Sequence, residues 1–163
     1  ILKGRKHDNE KDIEEVPKQP NIRIVVDNNK REDLEKLQEE AHCFVFPSRG
    51  EGLGLPPLEM MCRGVPTIVT NATGMKEYAE LAIPLKTVVP IEARYDLTWT
   101  DGVPAHWFEP SLDELKSVMW DVYKNYETYK YQAIARTTQL RERYSLDKIA
   151  EKFYETLTKY NLS

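Results

Sequence analysis

The sequence predicts an α/β fold built on a doubly wound parallel sheet and finished by a helical tail. Three observations carry that prediction. Short apolar runs at residues 21–26, 43–46 and 66–70 alternate with segments of helical spacing, and such alternation favours parallel strands joined by crossover helices. A loop with glycines at positions 50, 52 and 54 joins one of these strands to a proline-marked helix start. From Ser111 onward, apolar residues recur three and four apart without strand signals between them, the pattern of amphipathic helices.

Taken in order, residues 1–3 read as the end of a strand, and residues 4–11 as a charged, mobile loop. Residues 21–26 alternate and then turn apolar, which gives a strand, and Asp27, Asn28 and Asn29 form a turn. Residues 31–41 are helical, with Leu34, Leu37 and Ala41 on one face. Cys43, Phe44, Val45 and Phe46 make a buried strand, and a helix over residues 56–63 ends at Gly64, a residue suited to a left-handed C-terminal cap. A third buried strand covers residues 66–70, a further helix residues 74–81, and a strand residues 85–89. Residues 91–107, with Trp99 and Trp107, form a long loop or irregular hairpin decorating the surface.

Ser111 then caps a helix whose Leu112, Leu115, Val118, Met119, Val122 and Tyr126 form one stripe. A second helix spans residues 129–143. Ser145 caps a third, with Ile149, Phe153 and Leu157 four apart. These stripes, in a tail over residues 111–160, serve as core or as docking faces for another domain.

At 163 residues the chain is expected to form a single domain, and 40 % hydrophobic content is enough for a core. A net charge of −4 argues against a nucleic-acid platform and supplies no attraction to anionic lipid. Cys43 and Cys62 fall in a strand and a helix and read as small core residues rather than a disulfide. No apolar run approaches membrane-spanning length and no leader peptide is visible, so a cytoplasmic setting is expected. The opening on Ile1 reads as a fragment. His7, His42 and His106 are scattered and no Asp-x-Asp occurs, so no metal site is expected.

The chemistry concentrates at Pro47-Ser48-Arg49-Gly50-Glu51-Gly52-Leu53-Gly54-Leu55-Pro56-Pro57-Leu58-Glu59. A strand, a glycine loop and a helix start place backbone N–H groups and a positive dipole end together, which suits a phosphate. Pro56 and Pro57 fit the first helical turn, where a missing N–H costs least. A phosphate needs no acids, so Glu51 and Glu59 have another task, most simply hydroxyl groups beside it. Phosphate and hydroxyls together suggest a nucleotide sugar. The spacing of the glycines does not fit the dinucleotide fingerprint.

This stretch, continued by Met60-Met61-Cys62-Arg63-Gly64-Val65-Pro66-Thr67-Ile68, resembles the donor-site signature of glycosyltransferase family 4. Its parts are two glutamates with seven residues between them, a Gly-x-Gly-Leu-Pro core and a Gly-x-Pro-x-Ile strand start. The resemblance implies the C-terminal, Rossmann-like half of a GT-B fold, in a retaining enzyme that uses a UDP-, GDP- or ADP-linked sugar and no other cofactor. It implies that Glu59 binds the ribose hydroxyls and that Glu51 lies near the donor sugar as the catalytic candidate. Gly52, Leu53, Gly54 and Leu55 would direct N–H groups at the diphosphate or sugar, with Arg49 as the nearby cation. Residues 70–77 would approach the same group, and residues 25–28 the base.

The resemblance also implies an Arg and Lys pair on the diphosphate after an earlier strand. Counting back from Pro47 sets the start of this chain beyond that strand, so Arg5, Lys6 and Lys11 read as solvated loop charges. The acceptor, be it a glycan, a lipid-linked sugar or a protein, would sit on an N-terminal domain. The last helix would cross to that domain, and the full-length protein would be cytoplasmic or peripheral at the membrane. The isolated fragment is expected to bind donor weakly and to transfer nothing. Met60, Met61 and Arg63 depart from the usual Ala-Met-Ala-Cys run. Two other classes fit the same residues: a GT-B-like nucleotide-sugar epimerase or phosphorylase, and a non-catalytic interaction module using the helical tail.

Overall fold

The computed structural model describes residues 2–4, 20–26, 30–93 and 105–160. The cations Arg5, Lys6 and Lys11, the turn Asp27-Asn28-Asn29 and Trp99 lie outside these residues. The chain divides into two compact units, Ile1–Glu40 and Ala41–Ser163. In the first, strand β1 (Leu2–Gly4) pairs in parallel with β2 (Ile24–Val26), and helix α1 spans Arg31–Glu39. Glu32 and Asp33 in the first turn of α1 complement its dipole, and Arg31 pairs with Glu35 one turn on.

The second unit holds the glycine loop. Its sheet comprises β3 (Phe44–Phe46), β4 (Thr67–Thr70) and β5 (Ile83–Leu85), all parallel in the order β3-β4-β5. All four residues of central β4 are buried, whereas β3, expected to be buried, is half-buried. Successive residues of β4 face opposite ways. Val69 packs with Leu58, Met61, Met75, Tyr78 and Leu140, and Ile68 packs with Leu85 and Val122. Helices therefore cover both faces, which is the doubly wound arrangement the sequence predicts.

Helix α2 spans Leu55–Cys62. At Gly64 the backbone turns left-handed (φ +77°), and the Gly64 and Val65 N–H groups donate to Met61 O and Met60 O at 3.0 and 3.1 Å. This is a complete Schellman cap.

Three further expectations need correction. Residues 74–81 form two short 3-10 helices, Thr73–Glu77 and Ala79–Leu81, rather than one α-helix. Tyr78 interrupts them at φ −134° and ψ 8°, and its side chain is fully buried. The strand expected at 85–89 is divided, because the Lys86 and Thr87 N–H groups donate to the Glu114 carboxylate at 3.0 and 2.7 Å instead of continuing the ladder. Past this break, β6 (Val88–Glu92) and β7 (His106–Pro110) form an antiparallel hairpin, the second of the two forms anticipated for that region.

The third correction concerns the tail, which consists of α3 (Leu112–Lys124), α4 (Tyr126–Arg143) and α5 (Leu146–Lys159). Ser111 and Ser145 cap α3 and α5 as expected, accepting from Glu114 N and Lys148 N. The stripe on α3 is not uniformly core, however. Leu115, Val118 and Val122 pack on the sheet, Leu112 and Met119 are exposed, and Tyr126 opens α4. Helix α4 serves both faces, with Tyr129 at one cluster and Leu140 at the other. Ile149 and Phe153 on α5 are exposed, and Leu157 is half-buried. Among the described residues, no helix is long and apolar enough to cross a membrane.

Candidate functional site

The glycine loop leaves the carboxyl end of β3 and enters α2 through Gly54, which is left-handed at φ +80°. Pro56 and Pro57 occupy the first turn and remove two of the N–H groups a helix start normally offers. Anion-binding capacity therefore rests on the loop itself. Among the described residues, the N–H groups of Gly52, Leu53 and Gly54 have no acceptor. Gly52 is exposed, and a Cβ built there meets nothing within 4 Å. Leu53 is half-buried against the core and anchors the loop, while Leu55 is 63 % exposed at the helix start.

Glu59 lies on the exposed side of α2, between the buried Leu58 and Met60. Glu51 is half-buried. Its carboxylate accepts from Ser48 Oγ at 2.9 Å, and its N–H donates to Thr73 Oγ1 at 3.1 Å. Arg49 forms an ion pair with Glu109 on β7, and its guanidinium stands 5.9 Å from the centre of the Trp107 ring. The Phe108 N–H donates to Arg49 O at 2.9 Å, so the hairpin is fastened to the loop. Arg49 can meet a diphosphate only by leaving or sharing its pair with Glu109.

The first 3-10 helix closes on the loop from the β4 side. The Gly74 N–H donates to Glu51 O at 3.1 Å, and a Cβ at Gly74 would stand 1.8 Å from Gly52 O. Only glycine permits that approach. Thr73 adopts φ +50°, a strained value for a β-branched residue, while its hydroxyl caps the Glu51 N–H. Tyr78 is fully buried and donates its hydroxyl to Gly54 O at 2.9 Å.

Sequence reasoning placed residues 70–77 near the site but missed Tyr78. The Asn71-Ala72-Thr73-Gly74 run signals a turn, and nothing local signals the tyrosine, which acts across 24 positions. The carboxyl end of α2 is fixed from α4, where Arg141 donates to Cys62 O through Nε and Nη2 at 3.1 and 2.8 Å. Burial pushes the Cys43 thiol up to about 11 and raises Cys62, against the lowering influence of Arg141. Both are free and half-buried.

This combination of fold and loop falls within one family. Residues 3–88 match the family described as glycosyl transferases group 1, and the chain belongs to it. Two relatives from Escherichia coli show the likeness at residue level. The O-antigen chain mannosyltransferase B is 50 % identical over 46 residues, which are 28 % of this chain and 12 % of that protein. The serotype-specific mannosyltransferase WbdA is 48 % identical over 46 residues, 28 % of this chain and 6 % of that protein. The matched stretch thus spans a small fraction of each relative.

Proposed function

We propose that this chain is the donor-binding domain of a retaining, GT-B-type glycosyltransferase of family 4. It holds a nucleoside-diphosphate sugar while a further domain presents an acceptor hydroxyl. The observation that carries this reading is the loop Gly52-Leu53-Gly54, exposed at Gly52, half-buried at Leu53 and buried at Gly54, whose N–H groups have no acceptor among the described residues and which opens a helix bearing Glu59 on its exposed side. Glu59 accepts from the two ribose hydroxyls, each charge-assisted bond contributing about 1.5–3 kcal/mol. The loop N–H groups stabilise the negative charge that grows on the leaving diphosphate. Glu51, steadied by Ser48 and Thr73, faces the donor sugar. Arg49 adds positive charge once released from Glu109. Transfer keeps the anomeric configuration and needs no metal. The setting is cytoplasmic or at the membrane surface, and the acceptor is a glycan, a lipid-linked sugar or a protein. The matched relatives are mannosyltransferases by name, which makes a mannose-linked nucleotide the first donor to try.

Calorimetric titration of the full-length protein with UDP, GDP and ADP, beside Glu59→Ala, tests the reading. One nucleotide should bind, and the substitution should weaken it roughly tenfold or more. Equal affinity in the two proteins would refute the role of Glu59. Product analysis separates transfer from epimerisation or phosphorolysis.

A further inference from the structure

We infer that Tyr78 is a positioning residue for the donor loop, a strut footed on the junction of α4 and α5 that fixes the Gly54 peptide. The inference rests on the donor-site reading above and names how that site is held in shape. A buried phenol usually takes a hydrogen-bond partner, although the neighbouring Tyr144 hydroxyl has none among the described residues. Tyr78 finds its partner not within the core but on the loop, at Gly54 O. Contact is close as well as polar: a Cβ at Gly54 would lie 2.6 Å from the Tyr78 hydroxyl and 3.2 Å from Met75 Cγ. The ring and the left-handed glycine therefore fit only each other. Burial raises the Tyr78 hydroxyl well above its ordinary range, with Tyr144 and Glu51 adding to the effect. The group stays protonated and remains a hydrogen donor.

The foot of the strut lies at the carboxyl end of α4. Tyr144 meets the Tyr78 ring edge-on, at 6.5 Å between centres and 86° between planes. Arg143 reaches the 3-10 segment on both sides of Tyr78, donating to Glu77 Oε1 at 3.0 Å and Glu80 Oε1 at 2.8 Å. Its guanidinium also lies 5.6 Å from the Tyr144 ring centre. The aim of the loop N–H groups thus depends on the pose of the 143–145 junction, from which α5 departs.

The test uses the full-length protein that carries this chain, with donor KM, acceptor KM, kcat, nucleotide Kd and Tm measured for each variant. Tyr78→Phe keeps the ring and removes only the hydroxyl, and Arg143→Ala removes the bonds to Glu77 and Glu80 at the foot. Tyr78→Phe should raise donor KM and nucleotide Kd roughly tenfold, which corresponds to about 1.4 kcal/mol, and leave acceptor KM unchanged. Arg143→Ala should shift the same two constants in the same direction, and the double variant should fall short of the sum, because both act along one path. A protein that is merely less stable loses active fraction, and so kcat, while its donor KM stays put. If Glu59→Ala weakens the nucleotide but Tyr78→Phe and Arg143→Ala bind it within twofold of the parent, the strut is refuted and the donor site stands. If the parent binds none of the three nucleotides, the donor reading itself falls.

Discussion

Gly74→Ala probes how the loop is held with a single carbon atom. The added Cβ would stand 1.8 Å from Gly52 O, 2.5 Å from its carbonyl carbon and 2.9 Å from Leu53 N. A relaxed carbon–oxygen contact is about 3.3 Å, so the two backbones must part by roughly 1.5 Å. Every obstructing atom belongs to the main chain, and no rotamer change relieves it. Gly74 is not left-handed, so on dihedral grounds alone alanine would gain about 0.4–1 kcal/mol through the unfolded chain. Overpacking of this kind costs about 1–3 kcal/mol. The clash wins, with a net loss of about 1–2 kcal/mol and a Tm lower by roughly 2–8 °C. Binding should suffer more, since a misplacement near 1 Å can cost on the order of a hundredfold. Gly52→Ala is the matched comparison, because its Cβ enters open space. Thermal unfolding and nucleotide titration of both variants give the assay. Gly52→Ala should hold its Tm and lose affinity, whereas Gly74→Ala should lose both. A Gly74→Ala protein with parental Tm and parental Kd would refute the clasp.

Other outcomes follow from the same geometry. Gly54→Ala places a side chain at φ +80° and against the Tyr78 hydroxyl. The left-handed backbone alone costs about 1–2 kcal/mol, so Tm should fall and nucleotide affinity with it. Ser111→Ala removes the cap on Glu114 N, should cost about 1 kcal/mol, and should leave nucleotide affinity untouched in the same titration. Hydrogen bonding from Arg143 holds the Glu80 carboxyl below its ordinary range. Its contribution is therefore present above that range and is lost as pH falls through the depressed value. The Tm gap between parent and Glu80→Gln should be visible at pH 7 and shrink as pH falls below the ordinary carboxylate range; a gap that stays constant under acid would count against the pair. With its thiol at about 11, Cys43 should alkylate at pH 7 on the order of a hundredfold more slowly than a free cysteine. Denaturant should restore the rate, as followed by mass spectrometry.

Much of this molecule is readable from residue order because its signals are local. Gly64 after an apolar helix, Ser111 and Ser145 before amphipathic ones, and the run from Pro47 to Glu59 each specify backbone geometry through their immediate neighbours. They yield the parallel α/β core, the capped tail and the glycine-loop motif. What neighbours could not specify was set by contacts between distant residues. Glu114 draws the Lys86 and Thr87 N–H groups out of a strand. Arg49 is engaged by Glu109 across 60 positions. The segment after β4 takes 3-10 form where Gly74 and Tyr78 reach the loop. At the strand break and in the 3-10 segment a long-range partner outweighed a propensity worth a fraction of a kcal/mol per residue. The sequence by itself determined where the glycine loop falls, between a parallel strand and a capped helix. Tertiary structure decided what holds that loop in shape, because a buried hydroxyl or a backbone clash exists only once the chain has closed on itself.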